Sequence, residues 1–298
     1  MTTTGLPHTT RTDLPRVTDT LELLAPRWSV WVLMTLSAQP LRYTEIKPKL
    51  PWLTDGQLHP RLRKLTAAGL VERTAYTPRH VTYGLTDRGT ALMPVLTVIA
   101  AWGEAHLEKD MVPHPATGKL EPERIPAAQN IEDALALITP RHATPLLWAL
   151  QVQGTASATS LAAAAMPDRG IPSVYPPLRQ LVDDGLVEVT HGGSHFQLSA
   201  YGRALAPVYR AISAWAAEDP SATADTHPVW GQTPAPPRTQ PGPWITTPSR
   251  LPAPPAVAPA APALSIQPPA AAWKTDDLFS HQIPAHPLAL CSAGGPRR

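Results

Sequence analysis

The chain has 298 residues and a single cysteine, Cys291, near its C-terminus. That excludes an intrachain disulfide and any metal cluster built on cysteine thiolates. Nowhere do 18 apolar residues run together, so no segment reads as a membrane-spanning helix. The first residues, with Pro7, His8, Arg11, Asp13 and Arg16, have no apolar core of signal-peptide length. Strong charge of one sign is also missing. Basic side chains number 13 against 10 acidic over residues 1–112, 7 against 9 over 113–218, and 5 against 4 over 219–298. Nucleic-acid binding would therefore have to rest on local patches. No G-x-S-x-G, phosphate-binding loop or Cys/His pair is present, and no catalytic constellation can be assembled. His191 and His195 are four apart on a glycine-containing hairpin with no third ligand in view. The expectation is a soluble, cytoplasmic protein that is not an enzyme and carries no metal or cofactor.

What is present falls into zones, and the length suits about two domains. Residues 1–16 are polar and proline-punctuated and read as a flexible arm. Residues 17–218 carry the apolar periodicity of packed helices. It is interrupted by a linker over 112–130, where Pro113, Pro115, Gly118, Pro122 and Pro126 fall. From 219 to 298 the chain is Pro/Ala-rich with few large apolar residues. Such a tail cannot offset its ordering entropy, so it is expected to be disordered.

The long middle zone repeats itself. Leu62-Arg63-Lys64-Leu65-Thr66-Ala67-Ala68-Gly69-Leu70-Val71-Glu72 recurs, degraded, as Leu178-Arg179-Gln180-Leu181-Val182-Asp183-Asp184-Gly185-Leu186-Val187-Glu188. Leu21 to Arg27 matches Leu135 to Arg141, Pro60 to Leu65 matches Pro176 to Leu181, and Leu85 to Val95 matches Leu198 to Val208. Matches in this order, with offsets shifting only where loops are expected, indicate two copies of a module of about 90 residues.

In the first copy a helix starts near Thr18 and loosens at Pro26, and Trp28, Val32, Leu33 and Leu36 stripe its continuation. A second helix covers about 43–50. Thr54 or Asp55 caps a third that runs to Ala68 and stops on Gly69. Leu58, Leu62 and Leu65 lie at i, i+4 and i+7, so one face of this helix docks on the core. Pro60 removes a backbone donor and crowds the carbonyl four residues back, which a start at Asp55 makes tolerable. Strands over 71–76 and 81–85 follow, then a helix from Asp87 or Arg88 to about Lys109. Trp28, Trp31, Trp102, Trp148 and Trp215 lie in apolar helical patterns, where they either fill the core or line a small-molecule cavity.

Several of these residues carry a family pattern. Leu58-x-x-Arg61-Leu62-Arg63-x-Leu65-x-x-x-Gly69-Leu70-Val71-x-Arg73 is followed by Tyr76, Arg79, Val81-x-Tyr83-x-Leu85-Thr86-x-x-Gly89, Leu92-x-Pro94-Val95 and Ala101-Trp102-Gly103. With Leu24-x-x-Arg27-Trp28 ahead of it, the run over about 20–107 resembles the HxlR-type winged helix-turn-helix regulators. The second copy, about 131–217, resembles them more weakly, with a PadR-like flavour at Val174 to Leu178. The fold class expected is mainly α with small β-wings: two tandem winged helix-turn-helix domains, 17–111 and 131–218, plus the disordered tail. The resemblance implies a transcription factor on double-stranded DNA, usually a homodimer through its terminal helices. Two departures stand out. The cysteine that members often carry before the first helix falls here at about Pro15, so thiol sensing is not carried over, and members normally hold one module per chain.

A recognition helix enters the major groove through its N-terminal half. Thr54 and Gln57 are therefore expected at bases or phosphates, with Arg61, Arg63 and Lys64 off the leucine face and Arg79 and His80 at the wing tip. The bland alternatives are a solvated helix face and an exposed turn. Arg42, Lys47 and Lys49 are secondary candidates for the backbone. The second copy puts Pro177 for Arg61 and Gln180 for Lys64, ends in Asp183-Asp184, and has no Arg or Lys in its wing, so it should hold DNA poorly. The homodimer is the preferred assembly and a one-chain pseudo-dimer the alternative, with room for an unidentified small-molecule effector. The rival reading is a ligand-sensing or protein-interaction protein that uses the winged helix only as a scaffold and binds no DNA.

Overall fold

The structure is a computed structural model that describes residues 8–77, 80–190, 193–218 and 227–231. All of these fall in one compact unit, 1–241. It is helix-rich with small sheets, and its first half is a winged helix-turn-helix. Helices α1 (His8–Leu24), α2 (Ser29–Leu36), α3 (Tyr43–Lys49) and α4 (Asp55–Ala67) are followed by strands β2 (Val71–Thr77) and β3 (His80–Leu85) and by α5 (Asp87–His106). A short β1 (Leu41–Arg42) precedes α3 and pairs with β3, giving an antiparallel sheet ordered β1-β3-β2 with Arg73 opposite Tyr83.

Local chemistry fixes the helix that matters most. The Thr54 amide donates to Gln57 Oε1 at 2.9 Å, which closes the N-terminus of α4 and uses one of its orphan donors. Leu58, Leu62 and Leu65 are fully buried, each contributing about 1.5–3 kcal/mol of transfer free energy. Gly69 then takes φ 71, a left-handed geometry that stops the helix and turns the chain into β2. Thr86 ties that corner to α5: its hydroxyl donates to the Gly69 carbonyl at 2.6 Å and accepts from the Gly89 amide at 3.0 Å.

Residues 127–216 run through the same order. Helices α6 (Ala127–Ile138), α7 (Ala143–Gln153) and α8 (Ala158–Ala165) lead to a 3-10 turn, Ile171–Val174, and α9 (Tyr175–Asp183). Strands β6 (Thr155–Ser157), β7 (Val187–Val189) and β8 (His195–Leu198) form a sheet ordered β6-β8-β7, and α10 (Ala200–Arg203) and α11 (Ala206–Ala216) close the half. The corner recurs bond for bond. Gly185 has φ 72, Ser199 donates to its carbonyl at 2.6 Å, and the Gly202 amide donates back to Ser199 at 3.1 Å.

The two halves share one core, and their contacts pair off crosswise. Helix α1 lies on α11 and α6 on α5, α2 meets α6 as α1 meets α7, and α5 lies along α11. Gly103 permits the α5–α6 approach, since a Cβ there would stand 2.8 Å from the Asn130 carbonyl. Trp215 Nε1 donates to the Arg88 carbonyl at 3.1 Å while the Arg88 guanidinium sits 4.8 Å over its ring.

Three expectations about the ends and the joint are corrected. The arm assigned to 1–16 is helical from His8, because Leu14, Val17, Leu21 and Leu24 give α1 an apolar stripe that α11 covers. The 112–130 linker holds an exposed hairpin, β4 (Met111–Pro113) with β5 (Leu120–Pro122), and α6 already begins at Ala127. Within the tail, residues 227–231 are packed: Trp230 is buried, stacks on Tyr209 at 4.4 Å and meets Trp148 edge-on at 5.6 Å. The sequence signal there was composition, and a single tryptophan with a ready slot overrides composition. The rest of the tail, 219–226 and 232–298, lies outside the described residues. Among the described residues no helix is long and apolar enough to cross a membrane.

Candidate functional site

The solvent side of α4 carries the candidates. Thr54, Gln57, Arg63 and Lys64 are exposed, along with Gly56 and His59. Arg63 and Lys64 have no ion-pair partner among the described residues, so their charge is available to a ligand. Thr54 and Gln57 have a structural duty as well, since the Thr54 hydroxyl and amide both donate to Gln57 Oε1 and leave the Gln57 amide nitrogen as its outward donor.

The one acid in the first turn is held by its neighbours. Asp55 accepts from the Tyr43 hydroxyl at 2.7 Å and from Lys47 Nζ at 3.2 Å. The Tyr43 hydrogen bond, then Lys47, lower the Asp55 pKa. Burial and the Asp55 carboxylate push Tyr43 up to about 12. Lys47 also donates to the Leu53 carbonyl, so it braces the turn between α3 and α4 more than it offers a free cation. His59 stacks flat on Tyr43 at 4.1 Å, a contact that the sequence did not flag. A tyrosine and a histidine 16 positions apart give no periodic signal.

Arg61 departs from expectation. The helical wheel puts it off the leucine face, yet it is half-buried, and its Nε is shielded from solvent without a hydrogen-bond partner. Burial lowers its pKa while the carboxylate of Glu132, on α6, raises it. The reason is tertiary. Glu132 accepts from the Trp28 amide at 2.5 Å, which anchors α6 behind the first half and turns this position into a joint. Trp28 and Trp31, expected as core, are only half-buried and cluster with Trp52.

Beside the wing, Arg42 Nη2 of β1 lies 3.5 Å from His80 Nδ1, and the Tyr76 ring meets His80 edge-on at 5.2 Å. This sets a basic and aromatic group beside the sheet. Arg79, expected at the wing tip, and His191 lie outside the described residues. Among the described residues no group of three or more His, Cys, Asp or Glu could hold a metal. The matching surface of the second half differs in charge. Arg179 is exposed, Gln180 donates to Asp184 at 2.8 Å, and Gln197 donates to Glu188 at 2.7 Å.

Comparison with known proteins meets this geometry at the same residues. A family model described as HxlR-like helix-turn-helix matches residues 23–111. An uncharacterized HTH-type transcriptional regulator, YdzF of Bacillus subtilis (strain 168), is 35% identical over 89 residues, which are 29% of this chain and 82% of that protein. The chain belongs to the HxlR-like helix-turn-helix family. A further relative, the HTH-type transcriptional regulator YodB of Bacillus subtilis (strain 168), is 33% identical over 96 residues, 32% of this chain and 86% of its own length. The solved structure of the reduced form of YodB from B. subtilis is similar at 34% identity, with a TM-score of 0.29, covering 30% of this chain and 90% of that one. The HxlR-like match contains α2 to α5, and with them every candidate side chain named above from Arg42 to His80. Residues 127–231 lie outside it.

Proposed function

We propose that the chain is a transcriptional regulator that grips double-stranded DNA with its first half and uses the second as a built-in partner. Arg63 and Lys64 on α4, exposed and without an ion-pair partner among the described residues, carry this reading, with the only acid of the first turn, Asp55, paired with Lys47 and hydrogen-bonded by Tyr43. Gln57 and Thr54 stand at the groove-entering end. Arg63 and Lys64 neutralise phosphates or meet guanine edges, and Arg42 from β1, with Arg79 and His80 of the wing, contacts the neighbouring backbone. Arg61 serves the joint with α6 instead.

Residues 8–111 are the reading module and 127–218 a degenerate second winged helix. The crosswise pairing of α1 with α11 and α6 with α5 is the pattern of a two-fold dimer made within one chain, and it occupies the terminal helices that a homodimer would use. The working unit on this reading is therefore one chain with one basic head.

A gel shift with the DNA upstream of the gene tests the proposal. Binding should be visible at low salt and weaken steeply as salt rises, because phosphate contacts release counterions. Arg63→Ala with Lys64→Ala should abolish the shift at intermediate salt. Absence of any shift with upstream or genomic DNA at low salt would refute the reading.

A further inference from the structure

Trp28, Trp31 and Trp52 fill the corner between α2 and the turn after α3, with ring centroids 5.0–6.4 Å apart. The second half keeps the backbone of this corner and loses its aromatics. His142 precedes α7 with φ 70, as Trp28 precedes α2 with φ 75. Pro145 is the third residue of α7, as Trp31 is of α2. Asp168 stands two residues past the cap of α8 and follows Pro167, as Trp52 stands two past the cap of α3 and follows Pro51. Three indoles have become an imidazole, a proline ring and a carboxylate, and close-packed interiors do not absorb such a loss without leaving space.

A pocket of about 280 Å³ opens beside His142, the counterpart of Trp28, while Pro145 and Asp168 do not line it. Leu137, Leu181 and Pro177 supply apolar wall, and Arg141, His142 and Arg169 supply the polar side. No acidic residue lines it. His142 Nε2 is shielded and has no hydrogen-bond partner. Burial, then Arg169 and Arg141, hold the His142 pKa below its usual value.

We propose that this pocket binds a small aromatic carboxylic acid, with its carboxylate between Arg141 and Arg169 and its ring against Leu137 and Leu181. The volume sits at the small end of ligand cavities and suits a single ring. Two guanidinium groups at the mouth suit a carboxylate, which they can hold through paired N–H donors. The pocket reaches α9, the second half's counterpart of the reading helix, and the start of α7, which touches α1. A ligand there would bear on the joint between the halves.

Isothermal calorimetry on the full chain with benzoate, and with benzamide as its neutral isostere, tests this without DNA, so it stands or falls apart from the regulator reading. Benzoate should bind saturably at one site per chain and benzamide at least about tenfold more weakly, a difference of ~1.4 kcal/mol. Arg141→Ala with Arg169→Ala, both exposed positions, should remove benzoate binding and leave the circular dichroism spectrum and thermal midpoint unchanged. His142→Trp, which refills the corner as Trp28 does, should also remove it. No saturable heat with benzoate would overturn the proposal. So would equal affinity for benzamide, or benzoate binding that survives the double arginine substitution.

Discussion

Gly89 and Gly202 show how much a single residue decides. A Cβ on either would stand 2.1 Å from a backbone carbonyl, Leu70 O in one half and Leu186 O in the other. Neither backbone can retreat cheaply, because Leu70 O also accepts from the Thr86 amide and Leu186 O from the Ser199 amide. Gly89→Ala and Gly202→Ala are each expected to lower the urea midpoint by the equivalent of about 2 kcal/mol or more, against a helix-propensity gain of only ~1 kcal/mol. A midpoint at or above wild type would contradict the geometry. The two glycines were visible as a match between the copies, but their reason was not, since the carbonyl they touch lies 16 or 19 positions earlier. Arg61 teaches the same point from the other side. Its place on the wheel was legible, and its burial was not, because Glu132 arrives from a helix 71 positions away.

At the scale of elements, α4 and the wing were legible and the ends were not. Leucine spacing, a capping Thr54 and a stopping Gly69 are local signals, and the structure follows them to within a residue or two. Helix α1 is different. Pro15 and the polar run before it argue for a loose arm, yet Asp13 is held at both oxygens, by Ser213 at 2.5 Å and by His227 at 2.9 Å. The segment 227–231 is fastened in turn. His227 Nδ1 accepts from the Val229 and Trp230 amides at 3.1 and 2.9 Å, and Arg210 donates to the Trp230 carbonyl at 3.2 Å. Trp230→Ala is thus expected to cost about 3–5 kcal/mol in denaturant unfolding, as for a core tryptophan and unlike a tail residue. A loss under ~0.5 kcal/mol would show that the segment is dispensable.

Acid should release the same clasp. Burial raises the Asp13 pKa, but the hydrogen bonds from His227 and Ser213 outweigh it and leave the group below its usual 3.8. A carboxylate lowered on folding stabilises fully above its unfolded pKa and loses that contribution as pH falls through the folded value. Stability should therefore hold down to about pH 4 and then fall, and Asp13→Asn should flatten that acid limb in thermal melts. An unchanged limb in Asp13→Asn would contradict the role given to this carboxylate.

For the whole molecule, the repeated motif was legible in the sequence and the pairing of the two halves was not. A motif repeat suggests two modules. It cannot say that α1 and α6 exchange partners across the joint, because that pairing depends on surfaces such as Gly103 against Asn130. Since those faces are covered within one chain, light scattering of the full chain at micromolar concentration should return the mass of one chain. A stable mass of two would contradict the pseudo-dimer reading. The charge difference between α4 and α9 was plain from the sequence, and the structure adds that Arg63 and Lys64 are exposed with no ion-pair partner among the described residues, while Arg61 is half-buried.

The salt dependence of DNA affinity tests that division of labour most directly. Each phosphate contact contributes roughly 0.9 to the slope of log affinity against log salt. Arg63→Ala with Lys64→Ala should reduce the wild-type slope by about 2, and Arg179→Ala should leave slope and affinity unchanged. A slope unaltered by the first pair, or reduced by Arg179→Ala, would contradict the assignment of the basic head to α4.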